Sequence, residues 1–393
     1  MVNDIVWFDD TEVGAPVLNN AAGSLDAILY ACLVTGFNPK SGLAITVTSN
    51  VAFVTLAGHG YTDQKMVDIA GAATGSINGR KLVTVTGSGA FNFPAPGVAD
   101  GAISGSITAK RSPLGWVRNL NSGNVSIYTR SDVAATGMAL RVDDSGAGVA
   151  SATSARAIMV ESYADLNTYS GPAPTAVQLS GGQYWSKGAN STTAKKWLVV
   201  GDGRCFYLFT ESSGTNFSSS GGLQAAMFGD MVSYRAGDTY GCCISGGASA
   251  DAQSPAFSSG TVGTSASSAG FVWSRLSTLI GAATFAGAVA AINSSPMGGN
   301  ASTLPPYPSP VDNGAVFAFP LFLSESSATF TNPIRGQAPG VAVPLIRGLH
   351  VLHGATLNSV VGFSGRMLIV GLVSTGNSGN SGACALDVTG PWR

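Results

Sequence analysis

Ionised side chains are scarce. Only 10% of the 393 residues are Asp, Glu, Lys or Arg, against roughly a quarter in ordinary globular domains. Twenty basic and twenty-one acidic side chains leave a formal charge of −1. Binding to nucleic acid by counterion release needs clustered Lys and Arg, and adsorption to an anionic lipid surface needs the same. Neither partner is expected. Little like-charge repulsion remains to keep monomers apart in solution. Much of the exterior is therefore expected to be covered by neighbours, which points to a subunit of an assembly.

Long apolar runs and useful cysteine patterns are also missing. The nearest approach to a membrane span is LIGAATFAGAVAAI at 279–292. It is too short and too rich in Ala and Gly for a bilayer, which needs about 20 apolar residues, so no membrane insertion is expected. Residues 1–10 hold three aspartates and no Lys or Arg, the reverse of a secretory leader. Synthesis and assembly in a cytosol are expected. The five cysteines, Cys32, Cys205, Cys242, Cys243 and Cys384, are odd in number and contain no C-x-x-C. A disulfide framework or a zinc ribbon is disfavoured. Adjacent Cys242 and Cys243 would point to opposite faces of a strand and could not share one metal. All five read as small buried apolar residues.

What the sequence does have is apolar content of 45% and 52 glycines, enough for a core with many tight turns. The length suggests two or three domains. One segment reads as helix: Leu25, Ile28, Leu29, Cys32 and Leu33 form an i, i+3, i+4, i+7, i+8 stripe over 24–35. Asn20 or Ser24 can cap its start, Gly36 suits a left-handed end, and Pro39 forbids continuation. Ahead of it, Ile5 to Phe8 has strand character before Asp9, Asp10, Gly14 and Pro16 break regularity. Residues 1–42 thus read as an arm and helix belonging to the main domain.

From Leu43 to Lys110 the pattern turns to short strands: Ile45–Val47, Val51–Leu56, Lys65–Ala70, Lys81–Val85 and Phe91–Phe93, with turns at Gly58-His59-Gly60 and Asn78-Gly79. This spacing predicts a small all-β barrel or sandwich, inserted at 43–110. Residues 111–393 form the main β-rich domain. Its strands are expected at 125–128, 138–143, 155–163, 196–200, 205–209, 240–244, 271–276, 316–323, 346–351, 366–372 and 383–388. A hairpin is expected at Gly201-Asp202-Gly203-Arg204, and a long Ser/Ala/Gly loop at 246–270. Leu304 to Pro308 cannot be regular. If 43–110 is an insertion, the helix should lie against a sheet of the main domain. The fold class expected is mainly β: a sandwich-like or barrel-like main domain, one short N-terminal helix and an inserted small β-barrel.

Several groups could carry chemistry, and each has a plainer reading. His350 and His353 in a strand would diverge, so neither is nominated as a metal ligand. His59 between two glycines reads as a turn histidine. The carboxylates Asp9, Asp10 and Glu12, and the pair Asp143-Asp144, could suggest glycosidase chemistry, which needs two carboxyls across a groove. Adjacent aspartates diverge, and turn roles are favoured. Asp143-Asp144-Ser145 lacks a twelve-residue calcium loop. Gly201–Arg204 lacks the G-K-[ST] of a phosphate loop, and Gly263–Ser267 lacks the second glycine of a nucleophile elbow. Tyr184, Trp185, Trp116 and Tyr307 could stack sugars but read as core or interface anchors. No catalytic, cofactor-binding or metal residue is nominated, and no cofactor is expected.

The ordered motifs at 43–110 are A-G-H-G-Y (57–61), V-D-I-A-G (67–71), I-N-G (77–79), V-T-V (83–85) and F-N-F (91–93). Together they resemble a small β-barrel module of tailed-phage virion proteins. The opening W-F-D-D-T-E-V-G-A-P-V-L-N-N-A-A-G-S-L from Trp7, the hairpin V-V-G-D-G-R-C-F-Y-L-F from Val199 and the run L-D-V-T-G-P-W-R from Leu386 resemble a family of phage and prophage virion proteins over almost the whole length. The resemblance implies a non-enzymatic virion structural protein, associated with the tail or its tip and assembled in the bacterial cytoplasm. Its partners would be copies of itself and other phage structural proteins. A head-decoration or vertex protein, a receptor-binding protein for host-surface glycan and a polysaccharide-degrading enzyme are the alternatives.

Overall fold

A computed structural model describes residues 5–146, 152–189, 191–211, 223–247, 270–279, 281, 283–286, 288–290, 317–318, 321–325, 334–344, 354–358, 365–372 and 382–393. The chain is mainly β, with 49% strand in several antiparallel sheets and one twelve-residue helix near its N-terminus. The readings made at His350, His353, Tyr307, 304–308, 346–351 and most of 246–270 fall outside the described residues.

A seven-stranded antiparallel sheet lies at the centre. Its order is Val6–Asp9, Trp197–Gly201, Cys205–Glu211, Leu223–Asp230, Cys242–Gly246, Gly270–Trp273, Thr284–Phe285. The edge strand Val6–Asp9 pairs with residues that lie far along the chain, Val6 opposite Gly201 and Asp9 opposite Leu198. Trp197–Gly201 and Cys205–Glu211 are buried at every position. A sheet covered on both faces needs apolar residues in both phases of the two-residue repeat, so its strands read as unbroken apolar runs.

The two phases serve two cores. Val199, Phe206, Leu208, Phe228, Ile244 and Cys242 face a core shared with the helix, Trp116 and Leu140. Val200, Tyr207, Phe209, Met227 and Cys243 face the other, with Leu321, Leu368 and Leu386. Cys242 and Cys243 thus diverge as strand geometry requires, and all five cysteines are buried free thiols. Each large apolar side chain removed from water in these layers contributes about 1.5–3 kcal/mol before entropy is charged against it.

The first core is closed by a five-stranded sheet, ordered Val117–Ser122, Val125–Thr129, Ala139–Asp143, Ala152–Val160, Gln183–Ala189. The second core is closed by strands including Leu321–Ser324, Val341–Pro344, Met367–Leu372 and Gly382–Asp387. Four strands have little apolar alternation in sequence: Leu223–Asp230, Gln183–Ala189, Ile334–Gln337 and Val341–Pro344. Their Gly, Ala and Gln residues carry no strand signal, and long-range pairing decides them.

The helix occupies Ser24–Leu29 in α form and continues as a π-type turn over Tyr30–Thr35. The stripe Leu25, Ile28, Leu29, Cys32 and Leu33 is fully buried, in one core with Trp116, Tyr128 and Leu140. Neither Asn20 nor Ser24 caps its start. Gly23, at φ 82, holds the N-cap position without a side-chain bond, and the helix N–H groups go elsewhere, as described below. Gly36 ends it at φ 71, its N–H donating to Ala31 O at 2.8 Å. Only glycine fits here, because a Cβ would meet the Arg111 carbonyl oxygen.

The stretch 43–109 has its own core, with Ile45, Val54, Ile69, Phe91, Phe93 and Ile107 at its centre. Two sheets enclose it. One is ordered Lys40–Ser41, Gly105–Arg111, Met66–Ala72, Gly79–Leu82. The other is ordered Thr84–Gly87, Ala90–Pro94, Val51–Thr55, Ala44–Thr48, Gly101–Ile103. The chain crosses between them at fully buried Val83, whose N–H donates to Lys65 O at 3.1 Å. The expected barrel is instead an open pair of sheets among the described residues. Closure needs a continuous ladder around the ring, and the edge strands Lys40–Ser41 and Gly101–Ile103 have two and three residues.

Candidate functional site

The sequence supplies few charges, and the fold places many of them inside. At least eleven of the twenty Lys and Arg side chains form ion pairs within the chain. The first cluster joins the N-terminal segment to the 43–110 sheets. Lys65 Nζ donates to Asp9 Oδ2 and Glu12 Oε1, both at 3.0 Å, and lies over the Trp7 ring. Arg111 donates to Glu12 Oε2, to Met66 O, and to Trp7 O at 2.8 Å. Lys65, Arg111 and Glu12 are all buried. Burial pulls the Lys65 ammonium below its ordinary pKa, against the pull of Glu12 and Asp9. Burial raises the Asp9 carboxyl, but Lys65 and Thr11 outweigh it and leave it lowered.

A second pair holds the helix. Lys187 Nζ donates to Asp144 Oδ1 at 2.6 Å, with both side chains fully buried. Asp144 Oδ2 accepts the N–H groups of Leu25 at 2.8 Å and Asp26 at 3.1 Å. A carboxylate at a helix N-terminus satisfies orphan donors and meets the positive end of the dipole. The cap therefore comes from 119 residues away.

A third group surrounds the 202–204 hairpin. Asp202 Oδ1 accepts from the N–H groups of Arg204 and Cys205, at 2.8 and 2.7 Å, closing the turn as expected. Arg393 donates to Asp202 Oδ2 and to Asp230 O, both at 2.7 Å. Arg130 pairs with Asp230 at 3.1 Å. Further along, Arg335 grips Asp238 through two nitrogens, at 2.8 and 2.7 Å.

The surface left over is neutral on one whole sheet face. A single cross-strand row runs Ala102, Thr46, Phe53, Asn92, Thr84. Phe53 at its centre is 48% exposed. Ala44, Thr48, Thr55, Thr86 and Pro94 are the other exposed side chains of these strands. None is ionised.

The residues weighed for chemistry are scattered. His59 is buried, with Nδ1 accepting the Tyr61 N–H and Nε2 facing Gly87 O, both at 2.9 Å. The two bonds account for both ring nitrogens. Asp143 engages Arg141 and Ser145, whereas Asp144 turns to Lys187; the pair diverges. Asp10 engages Lys196 at 2.8 Å. Trp116 and Trp185 are buried, donating to Asp202 O and Ser245 O, so they anchor the core and form no sugar platform. Tyr184 stacks beneath Arg156. Sequence reading missed Lys65, Arg111 and Lys187 as a class. Lys187 lies inside a strand, Arg111 at the end of one and Lys65 just ahead of Met66–Ala72, where a lone cation normally belongs on a solvated face.

No protein-family model and no curated protein matches the sequence.

Proposed function

We propose that the chain is a non-enzymatic structural subunit of a tailed-phage virion, working by multi-copy assembly. One observation carries the reading: at least eleven of the twenty Lys and Arg side chains are paired within the chain, and a broad sheet face is left uncharged around Phe53. Burying such a face against a neighbour removes no charge from water, so the desolvation cost that opposes most surface contacts is small. Interface centres elsewhere are depleted in charge and enriched in aromatics in the same way. Each contact can be weak, because repetition raises the effective concentration of the next. The tail or its tip is favoured over the head by the resemblance of the 43–110 segment to tail-type modules.

Immunogold labelling of intact particles tests this. Label on the tail or tip is the expected result. Label on the head would reassign the subunit to decoration, and particles free of label would overturn the proposal.

A further inference from the structure

Lys65 is shared between two carboxylates. Its side chain is buried, with Nζ 3.0 Å from Asp9 Oδ2, 3.0 Å from Glu12 Oε1 and over the face of the Trp7 ring. Lys187, the other buried lysine in an ion pair, meets Asp144 alone and spends its further bond on a backbone carbonyl. A lysine is a nucleophile only as the free amine, and burial favours that form. Lys65 is pulled below its ordinary pKa in just this way.

The groups around Lys65 divide into distinct roles. Asp9 Oδ1 accepts from the Thr11 N–H at 3.0 Å and from the Thr11 hydroxyl. Negative charge growing on that oxygen during attack at Cγ would meet two donors already in place. Asp9 Oδ2 faces Nζ. Glu12 Oε1 accepts from the same Nζ, while Arg111 grips Glu12 Oε2 and holds the carboxylate still. A base must sit within hydrogen-bond reach of the proton that it takes, and Glu12 does. The fold thus fixes amine, carboxyl carbon and base in one place, which replaces a bimolecular encounter by a pre-set one.

We propose that Lys65 and Asp9 become joined by an amide, Nζ to Cγ, formed by the folded chain itself with Glu12 as base. The ammonium passes one proton to Asp9 Oδ2, which gives a neutral amine beside a neutral acid. Nζ attacks Cγ. Glu12 takes a second proton from the nitrogen and returns it to Oδ2, which leaves as water. One N–C bond forms, one C–O bond breaks, and nothing is oxidised or reduced. The product carries no charge at either residue, so the cost of keeping the pair from water disappears. The Asp9 side chain is partly exposed, which gives the released water a way out. The bond ties the edge strand Val6–Asp9 of the central sheet to the 43–110 unit. The proposal stands apart from the assembly reading, because it concerns the single chain.

The test is mass spectrometry of the full chain, denatured after incubation in native buffer and digested with trypsin. The wild type should come to weigh one water less than its sequence, and a branched peptide should join the segment holding Asp9 to the one holding Lys65. Asp9→Ala, at a partly exposed position, should keep the full mass. Glu12→Gln should slow the appearance of the branched peptide at least about a hundredfold, the low end of what a positioned base contributes. If Glu12→Gln does not fold, Asp9→Ala decides with the wild type. A wild-type chain that keeps its full mass overturns the proposal. So does loss of water without a branched peptide, which marks a cyclic imide, a branch through another lysine in place of Lys65, or an undiminished rate in Glu12→Gln.

Discussion

Lys187 and Asp144 meet at 2.6 Å in a place where neither side chain touches solvent. The ammonium also donates to Ala21 O at 2.8 Å, and the carboxylate caps Leu25 and Asp26. One ion pair therefore ties the five-stranded sheet, the approach to the helix and the helix itself. Asp144→Ala should destabilise by about 3–5 kcal/mol, because it strands a buried ammonium and uncaps the helix. The double variant Asp144→Asn with Lys187→Met should cost less than the sum of the single changes. Urea denaturation of the set measures this; additive costs would refute the coupling.

Acid should weaken the fold through Asp238. Burial raises its carboxyl, but Arg335, Ser233 and the Tyr240 N–H together hold it below the ordinary Asp value. A depressed folded pKa means that the unfolded chain binds the proton more tightly. The contribution is complete above the unfolded Asp pKa of about 3.9 and is lost as pH falls through the lower folded pKa. Asp238→Asn should be less stable than wild type at pH 7 and show a flatter decline below pH 4. Denaturation curves from pH 2 to 7 check it, and parallel curves would count against it.

Two glycines separate strain from collision. Gly36 and Gly42 share a positive φ, 71 and 74, and Gly36 has ψ −179. A Cβ on Gly36 would meet the Arg111 carbonyl, whereas a Cβ on Gly42 has nothing within 4 Å. Gly42→Ala should cost about 1–2 kcal/mol, the left-handed penalty alone. Gly36→Ala should exceed it by at least about 2 kcal/mol. Equal Tm losses would show that the helix end can shift away.

Every thiol should be silent in the native state. Burial raises all five, Cys242 to about 12 and the others further or by more. A thiol reacts as thiolate and needs access. A colorimetric thiol reagent at pH 8 should titrate none in the folded chain and five in denaturant. Rapid labelling of any one in native buffer would contradict the packing.

Phe53→Ser should leave unfolding within about 1 kcal/mol, since the ring is half exposed. Self-association should weaken, because the aromatic centre of the neutral face is gone. Sedimentation velocity at several concentrations reads the effect, and unchanged association would remove this face from the assembly.

Local features were legible in sequence because they depend on neighbours along the chain. The stripe from Leu25 to Leu33 needs only a 3.6-residue repeat, and its burial follows. The divergence of Cys242 and Cys243 needs only the two-residue repeat of a strand. The turn at Asp202 needs only a short side chain able to reach two N–H groups ahead. Strand Leu223–Asp230 escaped notice because its pattern makes sense only when sheets lie on both sides.

By itself, then, the sequence determined a β-rich, nearly neutral chain with one amphipathic helix and thiols suited to a core. Only the tertiary structure decided which charge meets which. Asp144 caps a helix 119 residues earlier, Glu12 joins Lys65 and Arg111, and Arg393 reaches Asp202. Ion pairing is a property of distance in space, and antiparallel pairing between remote strands sets that distance without leaving a periodic trace along the chain.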